Sequence, residues 1–193
     1  MEFLWRGDAR GGALALFPGA WNPPTRAHLA MAEAALAFAP EVALVIARAM
    51  PHKSYEGPSF DQRAAWLRAL CVPRPGLSAA ATEGGLFLDI AREARAATGA
   101  SRILLVCGRD AAERIVNWDY GPGLPPIAQQ LDEFELLVAP RGGPFQPPPE
   151  LAPRIHALHL PPAWESVSST AARLQRAAGS AWDHLVPSEI QDF

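Results

Sequence analysis

Two segments carry hydroxyl, imidazole and guanidinium groups at spacings suited to holding phosphate. The first, Gly19-Ala20-Trp21-Asn22-Pro23-Pro24-Thr25-Arg26-Ala27-His28, follows an apolar run and opens a helical pattern. Thr25 and His28 stand three apart in that first turn, so their side chains aim toward one place. A helix N-terminus offers free N–H groups and the positive end of the helix dipole, and a hydroxyl and an imidazole beside it suit a phosphate. The second segment, Val167-Ser168-Ser169-Thr170-Ala171-Ala172-Arg173, sets three hydroxyls at a helix start with an arginine three residues beyond. N–H, O–H and guanidinium donors gathered there can chelate phosphate oxygens together. Each segment also has a plainer reading. Ser and Thr are ordinary N-caps, Arg173 can be solvated, and a first-turn histidine can be structural.

The elements that must position these groups alternate along the chain. Apolar runs at Ala13 to Phe17, Val42 to Ile46, Ile103 to Cys107 and Glu135 to Ala139 read as strands, with weaker ones at Leu77 to Thr82 and Ile155 to Leu160. Between them fall helical patterns. One starts near Pro24 or Thr25 and carries Leu29, Ala32, Leu36 and Phe38 toward Pro40. A second is opened by a capping box at Ser59-Phe60-Asp61-Gln62 and runs to about Leu70. A third spans Leu86 to Thr98 and is closed by Gly99; a fourth spans Ala111 to Asn117; the last runs from Ser168 to Gly179. This alternation predicts an α/β fold, a Rossmann-like open parallel sheet with helices on both faces. In such sheets ligands bind beyond the carboxyl ends of the strands, where both segments fall. The stretch from Gly142 to Pro153 holds five prolines and reads as a loop. Residues 13–193 form one domain in this reading, preceded by an N-terminal extension of residues 1–12.

Composition narrows the partners. The chain has 193 residues, 17 basic and 20 acidic side chains and a formal net charge of −3. With no basic run it lacks the positive field that nucleic acid requires, and small ligands are the expected partners. No stretch supplies the about 20 apolar residues of a membrane span, and the first residues have no apolar core of a signal peptide. Cys71 and Cys107 are far apart and belong to no metal-binding pattern, which suits a reducing cytoplasm. Neither G-x-G-x-x-G nor G-x-x-x-x-G-K-S/T is present, so neither a dinucleotide fingerprint nor a P-loop explains the phosphate donors.

Taken together, the first and last strand-to-helix turns resemble the nucleotidyltransferase superfamily, with its (H/T)xGH and ISSTxxR motifs, and within it the bacterial nicotinate mononucleotide adenylyltransferases. The family opening G-G-S/T-F-D/N-P-x-H-x-G-H lines up with Pro18 to His28, and the closing motif with Val167 to Arg173. Pro51-His52-Lys53, Gly108-Arg109-Asp110 with Trp118 eight residues past the aspartate, Leu137 to Arg141 and the final Leu185-Val186-Pro187 also match in order.

The resemblance implies a single nucleotidyltransferase domain that joins ATP to a mononucleotide and releases pyrophosphate, chemistry that needs positioning and charge stabilisation and no covalent nucleophile. By it His28, Thr25 and Arg173 are catalytic. Gly19, Ala20, Gly108, Asp110, Ser168, Ser169 and Thr170 bind ATP with His28 and Arg173. Asn22, Lys53 and Trp118 meet the acceptor, Trp118 by stacking on a flat ring. Mg²⁺ accompanies ATP, with no protein side chain as its ligand. The resemblance leaves the number of subunits open.

The chain departs from the pattern at several points. Pro18 replaces a glycine and brings no N–H, Ala20 replaces a hydroxyl residue, and Ala27 adds a methyl group. Thr25 stands for the first histidine, as in phosphopantetheine adenylyltransferases. Thr82 to Ile90 keeps only Asp89 of the family's S-Y-T-x-D-T-L. The alternatives are therefore a phosphopantetheine adenylyltransferase-like enzyme and a nucleotide-binding homologue without turnover.

Overall fold

The structure, a computed structural model, describes residues 1–49, 57–140, 143–164 and 166–191. Its strands are β1 (Glu2–Trp5), β2 (Ala13–Pro18), β3 (Glu41–Ala47), β4 (Leu77–Thr82), β5 (Arg102–Gly108), β6 (Glu135–Ala139) and β7 (Ile155–Ala157). Its helices are α1 (Arg26–Ala35), α2 (Phe60–Cys71), α3 (Phe87–Thr98), α4 (Arg109–Asn117), the single turn α5 (Ile127–Gln130) and α6 (Ser169–Ala177). Short 3₁₀ turns lie at Ala152–Arg154, Pro162–Trp164, Asp183–Leu185 and Ser188–Ile190. No helix among the described residues is long and apolar enough to cross a membrane.

Strands too apolar to leave either side in water are covered on both. Side chains alternate between the faces. Ala15, Phe17, Leu44, Ile46, Leu104 and Val106 join one core with α1, α2, α6 and the C-terminal residues Leu185, Val186 and Ile190. Leu14, Leu16, Val45, Ile103, Leu105 and Cys107 join a second core with α3 and α4. The expected helices on both faces are thus present, with α1, α2 and α6 together on one side.

The sheet order is β1-β4-β3-β2-β5-β6-β7. From β2 the chain builds outward through β3 and β4, then returns to β5 on the other flank, so the order reverses between β2 and β5. The two strands also part there. The β2–β5 ladder ends at Leu16 opposite Leu105, whereas the β2–β3 ladder continues to Pro18 opposite Val45. A crevice opens at this switch point, where doubly wound sheets take their ligands. Pro18 costs the sheet little, because the ladder to β5 has already stopped where its N–H is missing.

Several elements differ from the sequence expectation. β1, within the residues read as an extension, pairs antiparallel with β4, so the sheet is not wholly parallel. Four residues are too few for a pattern to show. The link after β1 is fixed by Glu41, 3% exposed. Its carboxylate accepts two 3.0 Å bonds from Arg6 and a 2.7 Å bond from Ser78 Oγ. α1 ends at Ala35, and Leu36, Ala37 and Phe38 continue in a tighter turn bonded to Glu33, Ala34 and Ala35; Ala39 stands before Pro40, a position that disfavours helix. Ser59 caps α2 by accepting from Gln62 N at 3.1 Å, without the reciprocal bond of a capping box. β7 stops at Ala157, three residues short of the expected Leu160, with Pro161 and Pro162 soon after. α5 was not expected at all.

Candidate active site at the switch point

Beyond the carboxyl ends of β2, β5 and β6 lies a cavity of about 260 Å³. Phe17, Gly108 and Ala139 form its floor at the strand ends, His28 comes from α1, and Ser168, Ser169 and Thr170 come from the start of α6. Leu160, Trp164 and Val167 add an apolar wall. Among the described residues no carboxylate lines it.

His28 is placed by the start of α1. Thr25, fully buried, is the extended N-cap, and its Oγ1 accepts from His28 N at 3.4 Å. His28 Nδ1 in return accepts from Thr25 N at 3.0 Å and lies 2.8 Å from Thr25 Oγ1, a capping box with histidine in place of the usual Glu or Gln. A backbone N–H can only donate, so Nδ1 must present its lone pair, and the neutral ring carries its proton on Nε2. Phe17 and Trp21 flank the ring at centroid distances of 5.9 and 5.4 Å. A short-range bond therefore selects the tautomer, and two aromatics fix the plane.

The turn before α1 is built around Trp21, whose indole Nε1 donates to Val45 O at 2.7 Å and whose φ of 54° is left-handed. Gly19 fits closely here, since a Cβ on it would sit 3.0 Å from the indole and push the ring by a few tenths of an ångström. Gly19 N is held by Val45 O at 3.0 Å, and Ala20 lies exposed outside the cavity lining. The Ala20 carbonyl accepts from Arg63 Nη1 at 3.1 Å. Arg63 is 5% exposed, the one buried cationic side chain among the described residues, and the sequence reading missed it. The signal was present: Arg63 shares the apolar stripe of Trp66, Leu67 and Leu70 at helical spacing.

The start of α6 is stitched to this same turn. Ser168 is the N-cap and accepts from Ala171 N at 3.1 Å. Ser169 Oγ donates to Pro23 O at 2.8 Å, and Arg173 donates to Asn22 O at 2.6 Å and to Thr170 Oγ1 at 3.3 Å. Residues some 150 positions apart thus meet as one unit, and the capping role and the site role coincide. Asn22 contributes its backbone carbonyl to this stitching.

Asp110 and Trp118 lie elsewhere. α4 begins at Arg109 with Gly108 as N-cap, so Asp110 is not a cap; it sits exposed in the first turn of the helix. Gly108 lacks a side chain and gives no side-chain cap. Trp118, at the other end, is 64% exposed and belongs to no core. Together with Arg114 they border an open depression of about 570 Å³ that shares no lining residue with the cavity. Arg114 also went unnoticed in the sequence, although it falls four residues from both Asp110 and Trp118. Lys53 lies outside the described residues. Burial pushes the thiols of Cys71 and Cys107 up to about 12, so Cys107, although next to Gly108, is no nucleophile at neutral pH.

Comparison with known proteins agrees with the fold. The cytidylyltransferase-like family matches residues 16–175. A probable nicotinate-nucleotide adenylyltransferase of Methylibium petroleiphilum is 30% identical over 188 residues, covering 92% of this chain and 85% of that protein. One from Gloeobacter violaceus is 29% identical over 201 residues, covering 95% and 93%. Among solved structures, a Plasmodium falciparum nicotinic acid mononucleotide adenylyltransferase complexed with APC superposes with a TM-score of 0.69 at 15% identity, over 91% of this chain and 90% of that one.

Proposed function

The chain belongs to the cytidylyltransferase-like family, and from that premise we propose that it is an adenylyltransferase acting on ATP and a pyridine mononucleotide, nicotinate mononucleotide by likeness to its relatives. A phosphate oxygen of the mononucleotide attacks the α-phosphorus of ATP, the bond to the β-phosphate oxygen breaks, and pyrophosphate leaves. The product is a dinucleotide of the NAD pathway.

The observation that carries this reading is the convergence of two helix N-termini on one cavity, with an imidazole held to present Nε2–H. His28 donates to the phosphates as negative charge grows in the transition state, where a preorganised donor acts most strongly. Thr25 holds His28. Ser168, Ser169, Thr170 and Arg173 bind the β and γ phosphates together with the free N–H groups of α6. Gly108 lines the cavity at the strand ends, Gly19 and Ala20 bind ATP from the turn just outside that lining, and Asn22 and Lys53 meet the acceptor. Mg²⁺ enters as part of the ATP substrate; among the described residues the cavity lining offers hydroxyls and an imidazole. Asp110 accepts hydrogen bonds from nucleoside hydroxyls. Trp118 stacks on the acceptor's ring, which favours a pyridine over phosphopantetheine, an acceptor without a ring. In this reading the reaction runs in a reducing cytoplasm, which two buried, unbridged thiols suit.

Pyrophosphate release from ATP and Mg²⁺ tests the proposal, with nicotinate mononucleotide, nicotinamide mononucleotide and phosphopantetheine as separate acceptors. Release with a pyridine mononucleotide supports it. Release with phosphopantetheine alone reassigns the acceptor, and ATP binding without release from any acceptor leaves a nucleotide-binding homologue.

A further inference from the structure

Arg26 opens α1, one residue past the cap Thr25 and two before His28. A helix turns by about 100° per residue, so Arg26 and His28 stand on nearly opposite sides of that first turn. The cavity lining agrees: Ala27, His28 and Met31 belong to it and Arg26 does not. A cation in this place opposes the helix dipole, and no acidic side chain in the first turn offsets it. What the guanidinium gains is a bond on the far side of the helix, where its Nε donates to the Val186 carbonyl at 3.1 Å across 160 positions of chain.

Val186 sits in a segment that is itself held at several places. Leu185, Val186 and Ile190 are buried in the core that also takes Phe17 and Trp21, the two rings that flank His28. The segment folds into two 3₁₀ turns, and Gln191 Nε2 closes it by donating to the Asp183 carbonyl at 2.9 Å. Glu189 pairs with Arg74 at 2.7 Å, and the same guanidinium reaches Glu33 of α1 at 3.4 Å. Arg176 of α6 lies over the Trp182 ring at 5.0 Å. Residues 182–190 therefore touch both helices whose starts face the cavity, and they lie outside the stretch matched by the family.

We propose that Arg26 is a positioning residue for adenylyl transfer: anchored on Val186, it backs the first turn of α1 from behind and keeps His28 Nε2 aimed into the cavity. The proposal rests on the adenylyl-transfer reading and adds to it what holds the donor in place. Arg26 itself touches no substrate. The capping bond to Thr25 and the two aromatic rings fix the imidazole relative to its turn, and the bond to Val186 fixes that turn relative to the core.

The test measures kcat and the KM for ATP, by pyrophosphate release, in the wild type, Arg26→Met, Arg26→Lys and Arg74→Met, with thermal melts beside them. Arg26→Met should lower kcat by roughly threefold to tenfold, because a small misplacement of a preorganised donor is felt in the transition state. The KM for ATP should stay nearly unmoved. Arg26→Lys can still donate to the Val186 carbonyl and should recover most of the loss. Arg74→Met removes the tethers to Glu189 and Glu33, away from the first turn, and should lower the melting temperature with kcat unaltered. In His28→Gln no imidazole remains to be aimed, so adding Arg26→Met should cost little further, as expected of two residues that act as one unit. Wild-type kcat in Arg26→Met, equal kcat losses in Arg26→Met and Arg74→Met, or a loss that persists in full on His28→Gln overturns the positioning role while leaving adenylyl transfer intact. A wild type silent with every acceptor overturns both.

Discussion

Replacing His28 in two ways separates its part in chemistry from its part in holding α1. The imidazole does two things on opposite sides of one ring. Nδ1 accepts the Thr25 N–H at 3.0 Å, and Nε2 supplies the donor proposed for the phosphates. His28→Ala removes both. Thr25 is fully buried, so its N–H loses a partner in a place with little water. That costs about 1 kcal/mol, a fall in melting temperature of roughly 2–4 °C for a chain of this size. His28→Gln is different, because a glutamine three residues past the N-cap can close a capping box with its own oxygen. This variant should melt close to the wild type, yet no imidazole remains at the cavity. Loss of one preorganised donor lowers kcat by roughly a hundredfold to a thousandfold in other enzymes of this logic, and both variants should lose at least tenfold. The KM for ATP should move little, since the contact strengthens only as the α-phosphorus passes through the transition state. The assay is steady-state pyrophosphate release at saturating acceptor with ATP varied, alongside thermal melts. A His28→Gln enzyme with wild-type kcat would refute the catalytic assignment, as would a loss confined to KM.

Three further outcomes follow from the same structure. Arg173→Met removes the bonds to Asn22 O and Thr170 Oγ1 and the proposed phosphate pair; kcat/KM for ATP should drop by roughly tenfold or more, and an unmoved ATP titration would reject the phosphate role. Trp118→Ala should leave the melting temperature unaltered, because the side chain is 64% exposed. The same variant should raise the acceptor KM by roughly twofold to tenfold, the worth of one aromatic contact; an unaltered acceptor KM would remove Trp118 from the site. Arg102, and after it His156, hold the Glu135 carboxyl near a pKa of about 2, below its ordinary 4.5. A lowered folded-state value means stability that is present above about 4.5 and lost as pH falls toward about 2. Glu135→Gln should therefore flatten the acid limb of the melting profile, and parallel limbs for the two proteins would contradict that linkage.

The sequence by itself determined what depends on neighbours along the chain. Continuous apolar runs made β2, β3, β5 and β6 legible, because a strand buried on both faces has no polar side to show. Thr25 three residues before His28, and Ser168 three before Ala171, marked helix starts, because capping is a bond within one turn. Gly99 marked the end of α3 by its left-handed φ of 70°. The resemblance of such turns, in order and spacing, to the nucleotidyltransferase motifs suggested adenylyl transfer. Tertiary structure alone decided the rest. The pairing of β1 with β4 joins residues nearly 80 apart, with nothing in either stretch to announce the other. Arg63 reaches Ala20 across 43 positions, and Arg173 reaches Asn22 across 151. Asp110 and Trp118, adjacent in motif order to the phosphate residues, turned out to border a different opening, Asp110 from the first turn of α4 and Trp118 as the extended residue that caps its end. A local pattern names the donors a chain possesses. Which donors share a cavity depends on where β2 and β5 part, and only the assembled sheet sets that.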